Sequence, residues 1–408
     1  MDFDDTPLVG IPCPPGVNSP PSRAAGGPVG VAVGVLDPFH RLVTGTVQGV
    51  PDVLCAAPEP VCLDTLAQLV NVASEAHREA TRRKLSRRAR ARFQSLAVAT
   101  ALTEYARQRA GTPQGELEQS YRNTIYCAGV IKQEGGVLTA RYCGNRWCLS
   151  CNRIRMGKAI NVYEGEISGW ESPQMVTTTV QNVDEASLPE TIRQMRKCSV
   201  QVVRKLQRDG FAVRMLRKTE CTHNLQRDDY HPHHHSVIES EAAAEAYRSA
   251  WLSFAPRYGL VVDAQGQDVR PLDVESGLTE LFKYFSKLTA KTESGGREYV
   301  GVEQLDVMFR AMRGVRVYQA YGFKTTADAN EVEELDAATV AISREEEDAL
   351  WLWDDGMADW VDVETGECLT GHVPDRASSR FASYYQSTGR AGARAASASG
   401  AAAGRSPP

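Results

Sequence analysis

Apolar positions divide the chain into a helical part and a part of alternating elements. From Cys62 to Arg109 the residues Leu63, Leu66 and Val70, followed by Phe93, Leu96 and Tyr105, keep helical spacing. From Gln174 the period changes. The β-branched run Met175–Val183 (MVTTTVQNV) reads as a strand. Leu188, Ile192, Met195, Val202 and Leu206 then mark an amphipathic helix that Gly210 ends. Phe211–His223 reads as a second strand, the histidine-rich stretch from Tyr230 as a third, Ala242–Arg257 as a second helix and Val269–Val274 as a fourth strand.

This order, βαββαβ, predicts an α+β fold with the ferredoxin-like, split βαβ arrangement: an antiparallel sheet with helices on one face and the other face free. The segment VESGLTELFKYFSKLTAK comes next and reads as one helix from Val274 to Lys291. Its apolar stripe is Leu278, Leu281, Phe282, Phe285 and Leu288, while Glu280, Tyr284, Lys287 and Lys291 share the opposite side at spacings of four, three and four.

A chain of 408 residues has room for two or three domains, and 42% hydrophobic with 24% charged residues is ordinary for a soluble protein. The first forty residues hold eight Pro and six Gly, so residues 1–60 are expected to be disordered. Residues 61–118 then form a basic helical extension, 119–168 a cysteine-rich segment, 169–325 the alternating domain, 326–386 an acidic region with Trp351, Trp353 and Trp360, and 387–408 a disordered Ala/Gly/Ser tail. The acidic region is expected either to fold back on the body or to engage a host protein. No apolar stretch approaches the roughly 20 residues of a membrane helix. The acidic start MDFDDTPL argues against a secretory signal. A cytoplasmic protein with no membrane partner is expected.

The net charge of −5 is unevenly distributed. Asp328–Glu367 holds fifteen acids against the single Arg344, about −14, which leaves about +9 on the rest of the chain. Between Arg78 and Arg92 eight basic residues face only Glu79. Such a run suits either a DNA-facing helix, through phosphate neutralisation, or a solvated helix face.

Two clusters carry candidate chemistry. Cys127, Cys143, Cys148 and Cys151 include one CxxC pair and suit a tetrahedral structural Zn²⁺. The competing readings are a redox pair and buried free thiols. Arg141, Arg146, Arg153 and Arg155 around the cysteines suit a phosphate backbone. In YHPHHHSVIESE, strand alternation puts His231, His233 and His235 on one face and His234 on the other. Two imidazoles about 7 Å apart along the backbone can close on one ion; the competing reading is a histidine-rich surface turn. Alternation alone leaves Glu220 and His223 open as a third ligand.

MVTTTVQN, HPHHHSVI and ELFKYFSK, in that order, resemble the three successive motifs of rolling-circle replication initiators (Rep proteins) of bacterial plasmids. These belong to the HUH endonuclease superfamily, named for a His-hydrophobic-His metal motif, and the single tyrosine matches its one-tyrosine type. The resemblance covers about Tyr121 to Gly322. It includes CGNRWCLSC, similar to a cysteine-rich stretch of one branch, so the expected fold is an HUH nuclease core with helical and zinc-binding additions. One departure is His234, polar where the family prefers an apolar residue.

The resemblance implies that His233, His235 and Glu220 are metal ligands for Mn²⁺ or Mg²⁺. It implies Tyr284 as the nucleophile, Glu280 as the base that activates water at termination, and Lys283 and Lys287 as the motif's basic positions. Lys283, Arg146 and Arg153 are the expected DNA contacts. The implied activity is nicking of one strand at a plasmid origin through a phosphotyrosine intermediate, leaving a 3′-OH primer, with later strand transfer and hydrolysis. Implied partners are single-stranded or cruciform origin DNA, a host helicase and replication proteins, and a second copy in a homodimer. The other readings are a transposase or relaxase of the same superfamily, a non-enzymatic zinc DNA-binding regulator, and a small-molecule metal hydrolase.

Overall fold

A computed structural model describes residues 63–134, 137–282, 288–291, 296–323, 340–341 and 349–388. The expected disorder before residue 61 and after 388 and the hairpin turn at Gly135 and Gly136 lie outside them. Of the unit Pro12–Ala76, the described residues are helical. The unit that continues from His77 holds every strand and the remaining helices among the described residues.

In chain order, α1 (Leu63–Arg107) leads to α2 (Glu118–Ile125), strands β1 (Val130–Glu134) and β2 (Val137–Ala140), and α3 (Leu149–Ile167). The middle supplies β3 (Gln174–Thr179), α4 (Leu188–Arg208), β4 (Met215–Asn224), β5 (Asp229–Ile238), α5 (Glu241–Phe254), β6 (Asp268–Pro271) and α6 (Val274–Phe282). Strands β7 (Thr289–Lys291) and β8 (Arg297–Tyr299), α7 (Val302–Ala311) and β9 (Tyr318–Tyr321) come after these, then β10 (Val340–Ala341), β11 (Ala349–Asp354), β12 (Asp359–Asp362) and a final helix α8 over residues 376–388.

The predicted order βαββαβ is present, and its strands pair antiparallel in the spatial order β6-β3-β5-β4-β9. Alternation gives this sheet two different faces. On one, Val176, Met215 and Ile238 pack under Met195, Val202 and Leu206 of α4 and Tyr247 and Trp251 of α5. Each fully buried aliphatic side chain there contributes roughly 1.5–3 kcal/mol.

The other face is not free, as the sequence suggested. Met175, Leu216 and Val237 are covered by Ile160 and Tyr163 of α3 and by Leu278, Leu281 and Phe282 of α6. Past that cover the same strands turn polar.

Three element boundaries differ from the sequence reading. β4 begins at Met215 rather than Phe211, and Val274 starts α6 rather than ending a strand. The helix expected through Lys291 does not reach it: Thr289–Lys291 pairs as β7 with β8, Thr289 opposite Tyr299 and Lys291 opposite Arg297. Lys291 therefore does not extend the polar helix face. Strand pairing won locally over the helical period.

A second antiparallel sheet, β10-β2-β1-β11-β12, decides how the acidic region behaves. Ile131 of β1 pairs with Ala140 on one side and Trp351 on the other. The buried Trp360 donates its indole N–H to the Ala128 carbonyl at 2.7 Å. The tryptophan strands thus fold back onto the cysteine segment.

From His77 onward, α1 braces segments early and late in the chain. Its fully buried positions are mainly small, Ala89, Ala97, Ala101 and Ala106 with Leu102, while Phe93, Leu96 and Tyr105 are only half-buried. Alanine lets Tyr121, Phe309 and Phe381 approach closely in one helical core. Four arginines of the basic run reach later segments. Arg82 donates to the Thr370 carbonyl (3.4 Å), Arg88 to the Tyr142 hydroxyl (3.4 Å) and Arg90 to Ser378 Oγ (3.1 Å), with Asp375 3.1 Å away. Arg92 donates to the Thr124 carbonyl at 3.4 Å. These four contacts tie α1 to later segments.

Candidate metal centres

Where the second face of the central sheet turns polar, cross-strand register brings three ligand types together. Glu220 of β4 lies opposite His233 of β5, and Lys218 opposite His235. The Nε2 atoms of His233 and His235 stand 4.0 and 3.8 Å from Glu220 Oε2, and the three ligand atoms lie within 4.8 Å of one another. Ligands about 2.0–2.2 Å from one ion sit roughly 3–3.5 Å apart, so small inward rotations would close this set.

The surroundings fix which ring nitrogens face inward. The Nδ1 of His233 lies 3.1 Å from the His231 carbonyl, a bond that only an N–H can make. The Nδ1 of His235 lies 3.1 Å from Thr177 Oγ1. Both contacts engage the outer nitrogen and turn Nε2 toward the ion position, the usual way a partner orients a ligating imidazole. Glu220 is buried, and its Oε2 accepts from the buried Lys218 ammonium at 2.9 Å. A buried carboxylate beside two inward-facing imidazole nitrogens fits a divalent cation.

The flanking histidines are occupied otherwise. His231 makes contacts through both ring nitrogens, to Asn182 Oδ1 (2.7 Å) and Thr179 Oγ1 (3.0 Å). His223 turns to the opposite face, with Nε2 2.8 Å from Asp228 Oδ1. Of the two third-ligand candidates, Glu220 is the one that converges with His233 and His235. His234 also points to the opposite face, fully buried against Trp251, and burial holds its pKa well below the ordinary imidazole value.

Tyr284, Lys283 and Lys287 lie outside the described residues. The chain enters that stretch at Phe282, whose ring lies 5.2 Å from that of Tyr318, the residue paired with Lys218 across β9 and β4. Glu280 is exposed and paired with Arg270 of β6 at 3.3 Å, so it is not one of the converging ligands.

The four cysteines also converge. Cys127 precedes β1, Cys143 follows β2, and Cys148 and Cys151 sit at the start of α3. The Sγ separations are 3.5 Å for Cys127 to Cys148 and to Cys151, and 3.6 Å for Cys143 to Cys151. A tetrahedral ion with metal–sulfur bonds near 2.3 Å requires about 3.8 Å between sulfurs. Hydrogen bonds among the thiols hold Cys143 below its ordinary pKa and Cys127 and Cys151 above theirs. Ser95 Oγ accepts from the Leu149 N–H at 2.9 Å and pins the α3 start against α1.

Of the expected DNA contacts, Arg146 donates through Nη1 to the Val315 carbonyl, and Arg153 has a buried Nε without a partner among the described residues. The orienting groups Thr177, Asn182 and Lys218 escaped the sequence reading. Their only sequence signal is the two-residue alternation that places Thr177 with Thr179, and Lys218 with Glu220, on one face.

Residues 135–250, which hold most of both clusters, match the family described as replication protein. Over this segment the chain is similar to replication proteins. The curated "Protein rep" of Streptococcus pneumoniae serotype 2 (strain D39 / NCTC 7466) is 31% identical over 119 residues. That stretch covers 26% of this chain and 37% of the relative, so the chain spans little more than a third of the relative's length. No solved structure matches. The resemblance to replication proteins drawn from the motifs agrees with these matches. Among the described residues no helix is long and apolar enough to cross a membrane.

Proposed function

We propose that this protein is a plasmid rolling-circle replication initiator of the HUH type, which nicks one strand of origin DNA. The observation that carries the reading is the convergence of His233 Nε2, His235 Nε2 and Glu220 Oε2, with both rings held through their outer nitrogens so that the set faces one point. The replication-protein match over 135–250 and the ferredoxin-like strand order β6-β3-β5-β4 support it.

In this reading His233, His235 and Glu220 hold Mn²⁺ or Mg²⁺, and Cys127, Cys143, Cys148 and Cys151 hold a structural Zn²⁺. The divalent ion supplies positive charge at the scissile phosphate. Tyr284, two residues after Phe282 in the sequence, is the nucleophile. A phenol with an ordinary pKa near 10 is ionised in only about one molecule in a thousand at pH 7, so it needs nearby positive charge, which Lys287 supplies. Its oxygen bonds to phosphorus as the P–O3′ bond breaks, and the phenol proton ends on the released 3′ oxygen. The 3′ hydroxyl then primes synthesis. Glu280 takes a proton from the water that ends the cycle. Lys283, Arg146 and Arg153 contact the strand, a host helicase opens the duplex, and a second copy completes a homodimer.

The test is a purified reaction with a 3′-labelled single-stranded origin oligonucleotide and Mn²⁺, followed by peptide mapping of the linked residue. A covalent adduct on Tyr284 that Tyr284→Phe abolishes, with DNA binding retained, supports the reading. An adduct elsewhere, or cleavage without one, overturns it.

A further inference from the structure

The α4/α5 face of the central sheet, behind the metal ligands, carries a second polar cluster that the proposed function does not use. Arg217 and Ser236 are cross-strand partners, and so are Thr219 and His234, with Thr178 opposite His234 on the other side. All five are buried: Arg217 is 2% exposed, and Ser236, Thr219, His234 and Thr178 are at 0%. Arg217 Nε and Nη1, both ring nitrogens of His234 and the three hydroxyls have no hydrogen-bond partner among the described residues. Helix α5 adds the buried and unpartnered Trp251 Nε1.

The cluster is rich in donors and positively charged. Guanidinium and indole N–H groups only donate. Among the described residues no carboxylate pairs with Arg217, nor with Arg196, whose Nε is also buried and unpartnered. Arg196 of α4, close to Arg217, and Tyr321 of the edge strand β9 are its half-buried rim. Burial, and next repulsion from Arg217, holds the Arg196 guanidinium below its ordinary value, with Arg146 and Arg316 pushing the same way. Water satisfies donors but does not offset charge; an oxyanion does both, because each of its oxygens accepts several charge-assisted bonds.

We infer that the face of the sheet behind the metal ligands is an oxyanion site of the phosphate class, in which Arg217 and Arg196 supply the charge and Ser236, Trp251 and Tyr321 the remaining hydrogen bonds. Two sources share this chemistry, free phosphate and a phosphodiester of the bound strand. The site lies on the opposite face from His233, His235 and Glu220, and it does not depend on the nicking assignment.

The experiment is thermal unfolding of the full-length, zinc-loaded protein without added Mn²⁺ or Mg²⁺, with inorganic phosphate titrated against chloride at matched ionic strength and pH. The expected result is a saturable rise in Tm with phosphate only. Arg196→Gln and Tyr321→Phe, both at the rim, should each weaken the apparent phosphate affinity by about tenfold, the worth of one hydrogen bond to a charged group. Arg217→Met should remove the response; should that variant not fold, the two rim variants carry the test. The double variant His233→Ala/His235→Ala should keep the response, which separates this site from the metal centre. Binding of a short single-stranded oligonucleotide to Arg196→Gln distinguishes the sources: a parallel loss identifies a strand phosphate, and unchanged binding identifies the free oxyanion. Equal Tm in chloride and phosphate, or rim variants that respond like the parent, would overturn the site and leave ordered water as its occupant.

Discussion

Lys218 Nζ lies 2.9 Å from Glu220 Oε2, and both side chains are almost wholly excluded from solvent. An ammonium at that position balances the carboxylate when no divalent ion is bound. Removing one member of a buried pair leaves the other uncompensated at a cost of about 3–5 kcal/mol. Lys218→Met should therefore destabilise the metal-free protein by about that amount, and saturating Mn²⁺ should recover much of it, since the ion then neutralises Glu220. Urea unfolding with and without Mn²⁺ reads both effects; a loss that Mn²⁺ leaves untouched would separate Lys218 from the ligand set.

Ion binding to the folded state alone raises stability by about 2.7 kcal/mol at a concentration one hundred times Kd. The parent protein should show such a rise in Tm with Mn²⁺. His233→Ala and His235→Ala should each abolish it, whereas His231→Ala, whose ring nitrogens are already engaged by Asn182 and Thr179, should only weaken it.

His234 gives a pH signature with a definite sign. Its folded pKa is depressed by burial, while the unfolded value stays near 6.5. Below about pH 6.5 the unfolded chain takes up a proton that the folded chain refuses, so stability falls as pH falls, by at most about 1.4 kcal/mol per pH unit. Above that pH the group has no effect. His234→Leu should flatten this part of the acid limb in a denaturation series between pH 5 and 8, and an unchanged slope would show that His234 is not its source.

The four-cysteine centre joins the ends of β1 and β2 to the start of α3. The purified protein should carry one zinc per chain by atomic absorption. Cys148→Ser should lose the metal and lower Tm, because ligand binding free energy at such centres is folding free energy.

Arg90 is engaged by Ser378 and Asp375. Arg90→Gln should cost about 1 kcal/mol of stability and leave the affinity for an oligonucleotide unchanged. A loss of DNA affinity without loss of stability would return this residue to the nucleic-acid surface.

How far the residues alone reveal the fold depends on the range of the interactions involved. The βαββαβ order and the shared face of His233 and His235 come from periods of two and of 3.6 residues, which are local. Glu220 needed one further fact, the register of β4 against β5, which two adjacent strands leave open. Thr177 and Asn182 act on the histidines from outside β5, and alternation puts Lys218 on the face of Glu220 without saying that the two side chains meet. The alanines of α1 are invisible in the same way, because alanine favours a helix whether buried or not. The end of α6 was misplaced because Leu288 and Lys291 continue a helical period that β8 overrides by pairing with Thr289.

The pairing of β1 with β11 joins residues about 220 positions apart, Ile131 with Trp351. During synthesis the cysteine hairpin must therefore wait, its outer edge unfilled, until nearly the whole polypeptide has left the ribosome. Contacts so distant in the chain are slow to form, and an open strand edge meanwhile invites pairing with other chains. Shortened products that end before residue 349 should accordingly aggregate even though they contain every ligand of both metal centres.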